Sequence, residues 1–595
     1  MRLRERFRAT GLLSLTGDTW LIVLAALVGA AAGLVAVGFR WLLVFFDRFF
    51  FDTTLDGAAG LGLPVWLAVV LLPGLGGLVT GLLTHAFARD ARGHGVASVM
   101  TAVFTRGGYM NPAVVLAKAV TAAITIGSGG SAGSEGPTVV YGAGVGSLIA
   151  RTLRMSETRT KTLIACGVAA GLSSVFNAPI ASALFALEVV LGEFLANTFS
   201  LVVVSSVTAA VVSYAFIGNR PAYAVATPYG LNHPAELLLY VALGIVAALT
   251  ARAYISMLYG TTGFFDRIRR LPGWVKPAIG GLLVGLVGLA WRQSLGLGHG
   301  VIEASLADEL PWGLMTALAV VKLFTTSVTL GSGGSGGVFG PGFFIGSMMG
   351  GSFGHLARYL FPGVVASPGA YALVGIGAVL AGFTQAPITS VMLLFEMTGD
   401  YRIILPIAVA AVIANLVSLR ISPYNIDTLE LAQHGINVQA GRDINVLIRT
   451  LVREAMTSPV HTVHEADKVG DVVVLMQRHQ HSGFPVVNEA GDLTGILTLQ
   501  DIRAVPLEGR LDRRVAEVMT RSPMTVRPSD SLQEASRKIA LRGVGRLPVV
   551  AEEDPRKLVG LLTRSDIFKA YDLHRSGLAS NRAHDSGETP DPAAG

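Results

Sequence analysis

Long apolar stretches dominate the chain from about residue 19 to residue 421, and few charges interrupt them. Only 14% of all residues are charged, whereas a soluble chain of this size carries roughly 25%. After about residue 440 the charge content returns to that of a soluble domain. The two parts therefore face different solvents, and we expect a lipid-embedded domain followed by an aqueous one.

The apolar part contains an internal repeat. Thr125–Pro137 recurs as Thr329–Pro341, with nine of the thirteen positions identical, and Lys118 and Lys322 keep the same offset from the two blocks. Many apolar stretches are also shorter than the roughly 20 residues that span a bilayer, and they end in Gly, Ser or Pro clusters. Short, interrupted stretches in matching positions of two halves indicate the binding site of a transporter.

A second repeated block follows at nearly the same offset. Asn177–Ser182 is matched by Gln385–Ser390, and Glu188 is matched by Glu396. Two blocks at nearly one offset, each with a lysine or a glutamate in register, indicate a duplicated membrane domain.

Both copies of the first block end in Gly-x-x-Gly-Pro, at Gly133–Pro137 and Gly337–Pro341. A bare ion in hydrocarbon faces a prohibitive solvation penalty, whereas backbone N–H groups at helix N-termini offer weak, preorganised positive ends. Glycine lets the backbone approach an ion, and proline suits the first turn of the next helix. The pattern predicts an anion site, and the simpler alternative is a set of packing glycines and helix breaks.

Glu135 lies inside the first of these motifs. An ionisable residue within a membrane domain is a functional candidate by default. Beside helix N-termini its carboxylate is a tethered anion that competes with a mobile one, and protonation would release it. We therefore predict a gate that responds to pH and voltage, with a helix-capping glutamate at an aqueous boundary as the alternative.

The soluble part contains a repeat of its own. Phe484–Val487 is matched by Leu547–Val550, and Gly495–Ile502 by Gly560–Ile567. Each unit alternates helical patterns with short Val/Ile/Leu strands, which predicts an α/β domain. The expected division is an N-terminal segment 1–18, a membrane domain 19–435 with repeats at about 60–217 and 274–421, a linker 436–451, soluble repeats 452–508 and 515–572, and a disordered tail 573–595.

The membrane motifs resemble those of the CLC family of chloride channels and chloride/proton antiporters over about residues 20–572. Gly133–Pro137 is similar to the family's glycine-x-glutamate-glycine-proline motif, which implies that Glu135 is the gating glutamate. Gly337–Pro341 is similar to the second anion-site motif, and Gly93–Val96 resembles the first anion-site loop, with His94 where the family often has serine. The anion-binding residues implied by the resemblance are His94, Gly95, Ser134, Gly136, Val338 and Phe339.

Two positions depart from the family's pattern. Val189 stands where the family's antiporters have an inner proton-accepting glutamate, and many of its channel members have valine there too. Glu193, one helical turn away, is a candidate substitute for that acid. The second departure is at the family's inner-gate tyrosine. An alignment without gaps puts Asp427 at that position, and Tyr424, three residues earlier, is the alternative candidate. His94 is either a further donor to the anion or an interfacial histidine.

The soluble repeats resemble a CBS pair, whose Thr/Ser-x-x-Asp motif binds the ribose of adenine nucleotides. Thr498 with Asp501, and Thr563 with Asp566, match that motif. The resemblance implies ATP, ADP or AMP as a ligand, and an empty structural pair is the alternative. The fold class expected for the whole chain is an all-α membrane domain, duplicated as an inverted repeat with broken helices, followed by the α/β CBS pair.

The leading hypothesis is a homodimeric, chloride-selective anion channel in the cell membrane, with both termini in the cytoplasm. The basic start of the chain favours a cytoplasmic N-terminus. A chloride/proton antiporter is the first alternative. A CBS-linked divalent cation transporter is less favoured, because its site needs several converging carboxylates. Enzyme activity and a metal site are not expected, because no nucleophile–base or metal-ligand arrangement is visible in the membrane half.

Overall fold

The computed structural model describes residues 19–53, 64–87, 94–192, 194, 196–218, 223, 231, 233–365, 367–433, 436, 447, 450–479 and 481–570. Its contacts divide the chain into two units, one up to Val438 and one from Gln439. The predicted N-terminal segment 1–18, most of the linker 436–451 and the tail 573–595 lie outside the described residues.

The described part of the first unit is built from helices, several of them short and broken as the sequence predicts. Their bounds are α1 Thr19–Asp47, α2 Val65–Phe87, α3 Val96–Thr105, α4 Pro112–Gly127, α5 Glu135–Thr152, α6 Glu157–Phe176, α7 Pro179–Phe185, α8 Ala196–Ile217, α9 Glu236–Arg267, α10 Lys276–Ala290, α11 His299–Leu306, α12 Trp312–Gly331, α13 Phe339–Leu360, α14 Pro368–Thr384, α15 Pro387–Thr398, α16 Ile404–Ile421 and α17 Ile426–Gln433. A short π-helix, Arg48–Thr53, follows α1, and another, Ala186–Leu191, follows α7.

Six helices among the described residues are long and apolar enough to cross a membrane. These are Thr19–Phe50, Val65–Phe87, Thr198–Ile217, Glu236–Arg267, Trp312–Gly331 and Tyr401–Gln433. Large apolar side chains such as Trp41, Leu116 and Val320 are exposed on the outside of the unit. An apolar exterior over an apolar core is the arrangement that a lipid environment permits and water does not.

The second repeated block folds in the same way in both halves. Asn177 ends α6 with a left-handed backbone (φ 54°), and Gln385 ends α14 with φ 56°. One alanine then leads to Pro179 or Pro387, each the first residue of the next helix, where proline's missing N–H is no loss. The repeated sequence therefore encodes a repeated helix break.

The two halves also complete each other's helices. The Glu188 carboxylate accepts hydrogen bonds from the backbone N–H (2.8 Å) and the hydroxyl (2.6 Å) of Thr389 in the first turn of α15. The Glu396 carboxylate accepts from the backbone N–H groups of Ile180 (3.0 Å) and Ala181 (2.7 Å) in the first turn of α7. Each glutamate thus satisfies open N–H groups and the positive helix end of the opposite repeat.

The second unit combines short helices with two small sheets. The bounds are α18 Val452–Ala455, β1 Val463–His464, α19 Val469–His479, β2 Gly483–Val487, β3 Leu493–Thr498, α20 Leu499–Ala504, α21 Val515–Val518, β4 Thr520–Arg521, α22 Leu532–Arg542, β5 Arg546–Val550 and β6 Leu558–Thr563. One sheet has the order β1-β2-β3-β4, with β1 parallel to β2 and the other pairs antiparallel. The other sheet is the antiparallel pair of β5 and β6.

The two soluble repeats exchange edge segments. β4, near the start of the second repeat, pairs with β3 of the first through Ile496 and Thr520. Thr457, near the start of the first repeat, pairs with Leu561 of β6 in the second. Each repeat covers one open sheet edge of the other, so the pair forms a single folded unit.

Candidate functional site

The two Gly-x-x-Gly-Pro motifs meet. Gly133 N–H donates to the Gly337 carbonyl at 2.8 Å, and Gly337 N–H donates to the Gly133 carbonyl at 2.6 Å. α5 begins at Glu135 and α13 begins at Phe339, each two residues after this bridge. The N-termini of one helix from each repeat therefore lie next to each other, which concentrates open N–H groups and the positive helix ends in one place.

Buried hydroxyl groups fix the two blocks to each other. Ser131 N–H donates to Thr329 Oγ1 (3.1 Å), and at the equivalent place Ser335 N–H donates to Thr125 Oγ1 (3.4 Å). Thr121 Oγ1 also donates to Ser335 Oγ at 3.0 Å. All of these residues are buried, so the approach of the two motifs is preorganised.

Glu135 occupies the space between the two helix ends. Its side chain is buried, and its Oε2 accepts a hydrogen bond of 3.1 Å from Gly340 N–H in the first turn of α13. The same residue lines a cavity of about 600 Å³, together with Arg40, His299 and Glu303. A carboxylate of the first repeat thus sits on an N–H group of the second, where a mobile anion would otherwise find a donor.

Glycine is required where the motifs touch. A Cβ on Gly133 would lie 2.0 Å from Glu135 Oε2, and a Cβ on Gly337 would lie 2.5 Å from the backbone nitrogen of Gly136. Neither contact can be accommodated without movement of the backbone or of the carboxylate. The glycines of the repeat therefore serve the close approach, as the sequence pattern predicts.

The other predicted residues of the second motif are buried beside this junction. Val338 precedes α13 and its carbonyl accepts a hydrogen bond of 3.1 Å from the Tyr254 hydroxyl. Phe339 packs against Phe185 and Phe383, with ring centroids 5.4 and 5.7 Å away. Ser134, the residue before α5, is also buried. The structure thus brings Ser134, Gly136, Val338 and Phe339 together around Glu135.

His94 and Gly95 lie against the same turn, but the His94 imidazole is occupied. Its Nδ1 lies 3.2 Å from Asp427 Oδ1, and its Nε2 lies 2.9 Å from Glu430 Oε2. Of the two inner-gate candidates, Asp427 therefore contacts the predicted anion loop, and Tyr424 is only half-buried. The sequence analysis missed Glu430, although its spacing of three residues from Asp427 places both acids on one helical face.

The predicted proton-acceptor position carries no acid. Val189 is buried in the π-helix that follows α7. Glu193, the candidate substitute, lies outside the described residues.

In the second unit, Thr498 and Asp501 form a capping box at the start of α20. Asp501 Oδ2 accepts from Thr498 N–H (2.8 Å) and from Thr498 Oγ1 (2.6 Å), while its Oδ1 accepts from Thr520 Oγ1 (3.0 Å). These three residues line a cleft of about 590 Å³ with Arg503 and Arg546. Partial burial lowers the pKa of the Arg546 guanidinium below its usual value.

Thr563 and Asp566 repeat this capping geometry at the equivalent place. Asp566 Oδ2 accepts from Thr563 N–H (2.8 Å) and Thr563 Oγ1 (2.7 Å). Neither residue lines the cleft described for Thr498 and Asp501. The two matched motifs are therefore alike in hydrogen bonding and different in position.

Comparisons with known proteins identify the family of each part of the chain. Residues 76–419 match the family model described as the voltage gated chloride channel, and residues 452–508 and 515–573 match the CBS domain. The H(+)/Cl(-) exchange transporter ClcA of Salmonella arizonae is 31% identical over 67% of this chain and 85% of its own length. The voltage-gated ClC-type chloride channel ClcB of Citrobacter koseri is 29% identical over 69% of this chain and 99% of its own length.

The fold has solved counterparts. The crystal structure of a slow cyanobacterial Cl-/H+ antiporter superposes with a TM-score of 0.64 at 23% identity, covering 70% of this chain and 97% of the other. At 23% identity this structural similarity establishes the fold alone, whereas the family model matches the sequence of residues 76–419. The chain is an integral membrane protein that belongs to the CLC family of anion channels and exchangers and carries a C-terminal CBS pair.

Proposed function

We propose that this protein is a chloride channel whose passage is gated by Glu135. The observation that carries the proposal is the hydrogen bond from Gly340 N–H to Glu135 Oε2. The Glu135 carboxylate occupies a backbone N–H donor that could equally bind a small mobile anion. When the carboxylate is protonated, its attraction to the helix end weakens and a chloride ion can replace it. Ser134, Gly136, Val338 and Phe339 would surround that ion.

The donors at this junction favour an anion over a cation. Backbone N–H groups and two helix N-termini converge at the junction, and among the described residues Glu135 is the carboxylate that accepts a hydrogen bond from them. A hydrated divalent cation would need several oxygen ligands that replace its water. The arrangement therefore supports anion passage and disfavours the cation-transporter alternative.

The choice of a channel over an antiporter is supported by Val189. A buried valine cannot take up a proton, and proton-coupled exchange needs a group that can. The test is a chloride-efflux assay with purified protein in liposomes, with chloride and pH electrodes recorded together. A channel should release chloride without stoichiometric proton uptake. Proton uptake in fixed ratio to chloride would replace this proposal with the antiporter.

The Glu135→Gln variant tests the gate. The amide resembles the protonated carboxyl and cannot be titrated, so the pH dependence of chloride flux that arises at this residue should disappear. Glu309→Gln, at an exposed position outside the membrane helices, is the matched control. A Glu135→Gln variant with the wild-type flux and pH profile would refute the assignment.

A second proposed activity belongs to the CBS pair, which we infer binds an adenine nucleotide at the Thr498–Asp501 cleft. The supporting observation is a cleft of about 590 Å³ lined by a carboxylate, three hydroxyls and two guanidinium groups. Carboxylate and hydroxyl groups suit ribose, and arginine suits phosphate. Calorimetric titration of the full chain with ATP, ADP and AMP tests it, and the absence of both heat and a thermal shift would contradict it.

The assembly and orientation remain part of the proposal. We propose a homodimer with one pore per subunit in the cell membrane, and a cytoplasmic location for both termini. The basic residues at the start of the chain support the orientation. Mass photometry in detergent and protease accessibility in sealed vesicles test these two statements separately.

A further inference from the structure

A histidine–carboxylate cluster of His94, Asp427 and Glu430 lies beside the junction of the two motifs. His94 Nδ1 is 3.2 Å from Asp427 Oδ1, and His94 Nε2 is 2.9 Å from Glu430 Oε2. The Tyr259 hydroxyl also lies 3.2 Å from Nε2, while it donates its own proton to the Ile426 carbonyl. Both ring nitrogens therefore face oxygen atoms that can accept a hydrogen bond.

Carboxylate oxygens near both ring nitrogens favour a charged imidazole. A neutral imidazole has one N–H group, and only the doubly protonated ring presents a proton to the acceptors on both sides. Asp427 is fully buried, and among the described residues neither its carboxylate oxygens nor His94 Nδ1 has an aligned hydrogen-bond partner, so the two groups meet as an ion pair at 3.2 Å. A positive charge on His94 would compensate the buried Asp427 carboxylate, because an unpaired buried carboxylate is strongly destabilising.

The two acids differ in their access to water. The Asp427 side chain is 0% exposed, whereas the Glu430 side chain is 29% exposed. Glu430 can therefore exchange a proton with solvent or turn away, whereas the Asp427 side chain has no contact with solvent. Of the His94 contacts, the bond to Glu430 is the one that an ion or a proton from solution can displace.

The loop that carries His94 contacts Gly136, the residue that follows Glu135 in the chain. A Cβ on Gly136 would lie 1.9 Å from the His94 carbonyl, and a Cβ on Gly95 would lie 2.9 Å from the Gly136 carbonyl. Gly95 also has a left-handed backbone (φ 96°), which lets the loop turn at this contact. The His94 loop and the turn that carries Glu135 are thus in direct backbone contact.

We propose that Glu430 is a second gating carboxylate, which covers the His94 Nε2 donor as Glu135 covers Gly340 N–H. Protonation of Glu430 by solvent leaves the His94 charge unshared on that side, and a chloride ion takes the vacated donor. Lys118 of α4 interacts electrostatically with Glu430 as well, so neutralising Glu430 strengthens the positive field for the anion from two directions. The Tyr259 hydroxyl holds the ring at Nε2.

The inference rests on the proposed function, because it concerns the same anion path, and it adds a second gate with its own titration. Anion binding at His94 and protonation of Glu430 should favour each other, because a bound anion attracts the proton and the proton removes the competing negative charge. Acidification at the Glu430 side should activate the current even when Glu135 can no longer titrate.

The test uses the full chain in planar lipid bilayers, with the pH of each face set separately. Glu135→Gln should keep acid activation from one face. Glu430→Gln should raise the current at neutral pH several-fold and lose that activation, and the double variant should respond to neither face. Glu309→Gln is the control for the loss of one carboxylate. Unchanged pH profiles of Glu430→Gln at both faces would overturn the inference.

A structural readout separates this inference from the proposed function. Crystals soaked in bromide should show an anomalous peak at His94 in Glu430→Gln, and in the wild type at low pH, which avoids any folding defect of the variant. If no chloride current is measured but the bromide peak is present, the channel assignment fails and the His94 site stands. The absence of the peak from both crystals would rule out the site.

Discussion

Glu135 of the first repeat accepts its hydrogen bond from Gly340 of the second, 205 residues away in the chain. The proposed gating group and the donor that it covers therefore come from different copies of the duplicated unit. Each repeat alone offers one helix N-terminus, and the bridge between Gly133 and Gly337 brings the two ends together. The proposed anion site is consequently a property of the paired repeats.

Adding a methyl group at the motif junction should disturb the site. A Cβ on Gly337 would lie 2.5 Å from Gly136 N and 3.0 Å from Glu135 Oε2. We expect Gly337→Ala to reduce chloride flux by about tenfold or more, which corresponds to about 1.4 kcal/mol. The measurement is initial efflux from liposomes. Gly300→Ala is the matched control, because a Cβ on Gly300 meets no atom within 4 Å. Equal fluxes of the two variants would contradict the close approach.

The reciprocal caps of Glu188 and Glu396 should contribute to stability. Replacing either glutamate by alanine removes the acceptors for two hydrogen bonds at a helix N-terminus of the other repeat. Loss of a helix cap costs about 0.5–2 kcal/mol, so the apparent unfolding temperature should fall in both variants.

Thermal unfolding followed by tryptophan fluorescence in detergent measures this effect. Exposed Glu309→Ala should leave the unfolding temperature unchanged. If Glu188→Ala and Glu396→Ala unfold at the wild-type temperature, the two caps are without energetic consequence.

Lys322 should be a structural cation of the first unit. It is fully buried, and its Nζ donates to the carbonyls of Ser294 (2.9 Å) and Gly296 (2.7 Å) beside the Phe344 ring. Lys322→Met preserves volume but leaves two buried acceptors without this donor. We expect a loss of about 1–3 kcal/mol for each carbonyl that stays unsatisfied, visible as a lower unfolding temperature.

The control is Lys161→Met, which removes a partly exposed i,i+4 ion pair with Glu157. Such surface pairs contribute little to stability, so this variant should unfold near the wild-type temperature. A Lys322→Met protein as stable as Lys161→Met would show that the buried bonds are compensated by other groups.

The two CBS motifs should differ in nucleotide binding. Asp501→Ala removes a carboxylate that lines the 590 Å³ cleft, whereas Asp566→Ala removes the same capping hydrogen bonds at a place that does not line it. We expect Asp501→Ala to weaken ATP binding by about tenfold, as loss of about 1.4 kcal/mol would, and Asp566→Ala to bind as the wild type does. Calorimetric titration measures both, and equal weakening would show that the site includes Asp566.

Much of the membrane architecture was predictable from local sequence. The repeated Gly-Pro and Ala-Pro blocks mark helix breaks, because glycine permits backbone conformations that other residues avoid, and proline fixes φ and lacks an N–H donor. The left-handed residues Asn177 and Gln385 and the prolines after them confirm the breaks at equivalent places. Glu430 was missed because its importance depends on His94, which is more than three hundred residues away in the chain.

The roles within the soluble motifs also required the structure. Thr498–Asp501 and Thr563–Asp566 are equivalent in sequence and in hydrogen bonding, since a Thr-x-x-Asp capping box is a local arrangement. Which of them borders a cleft depends on the packing of segments from both repeats.

The sequence by itself determined the solvent of each part, the duplication, the helix breaks and the chemical nature of the motifs, because hydropathy and backbone preferences act over short segments. The tertiary structure decided which groups meet: Glu135 with the Gly340 amide, the paired caps of Glu188 and Glu396, and His94 between Asp427 and Glu430. Electrostatic attraction and hydrogen bonding act over a few ångströms in space, and sequence separation carries no information about that distance.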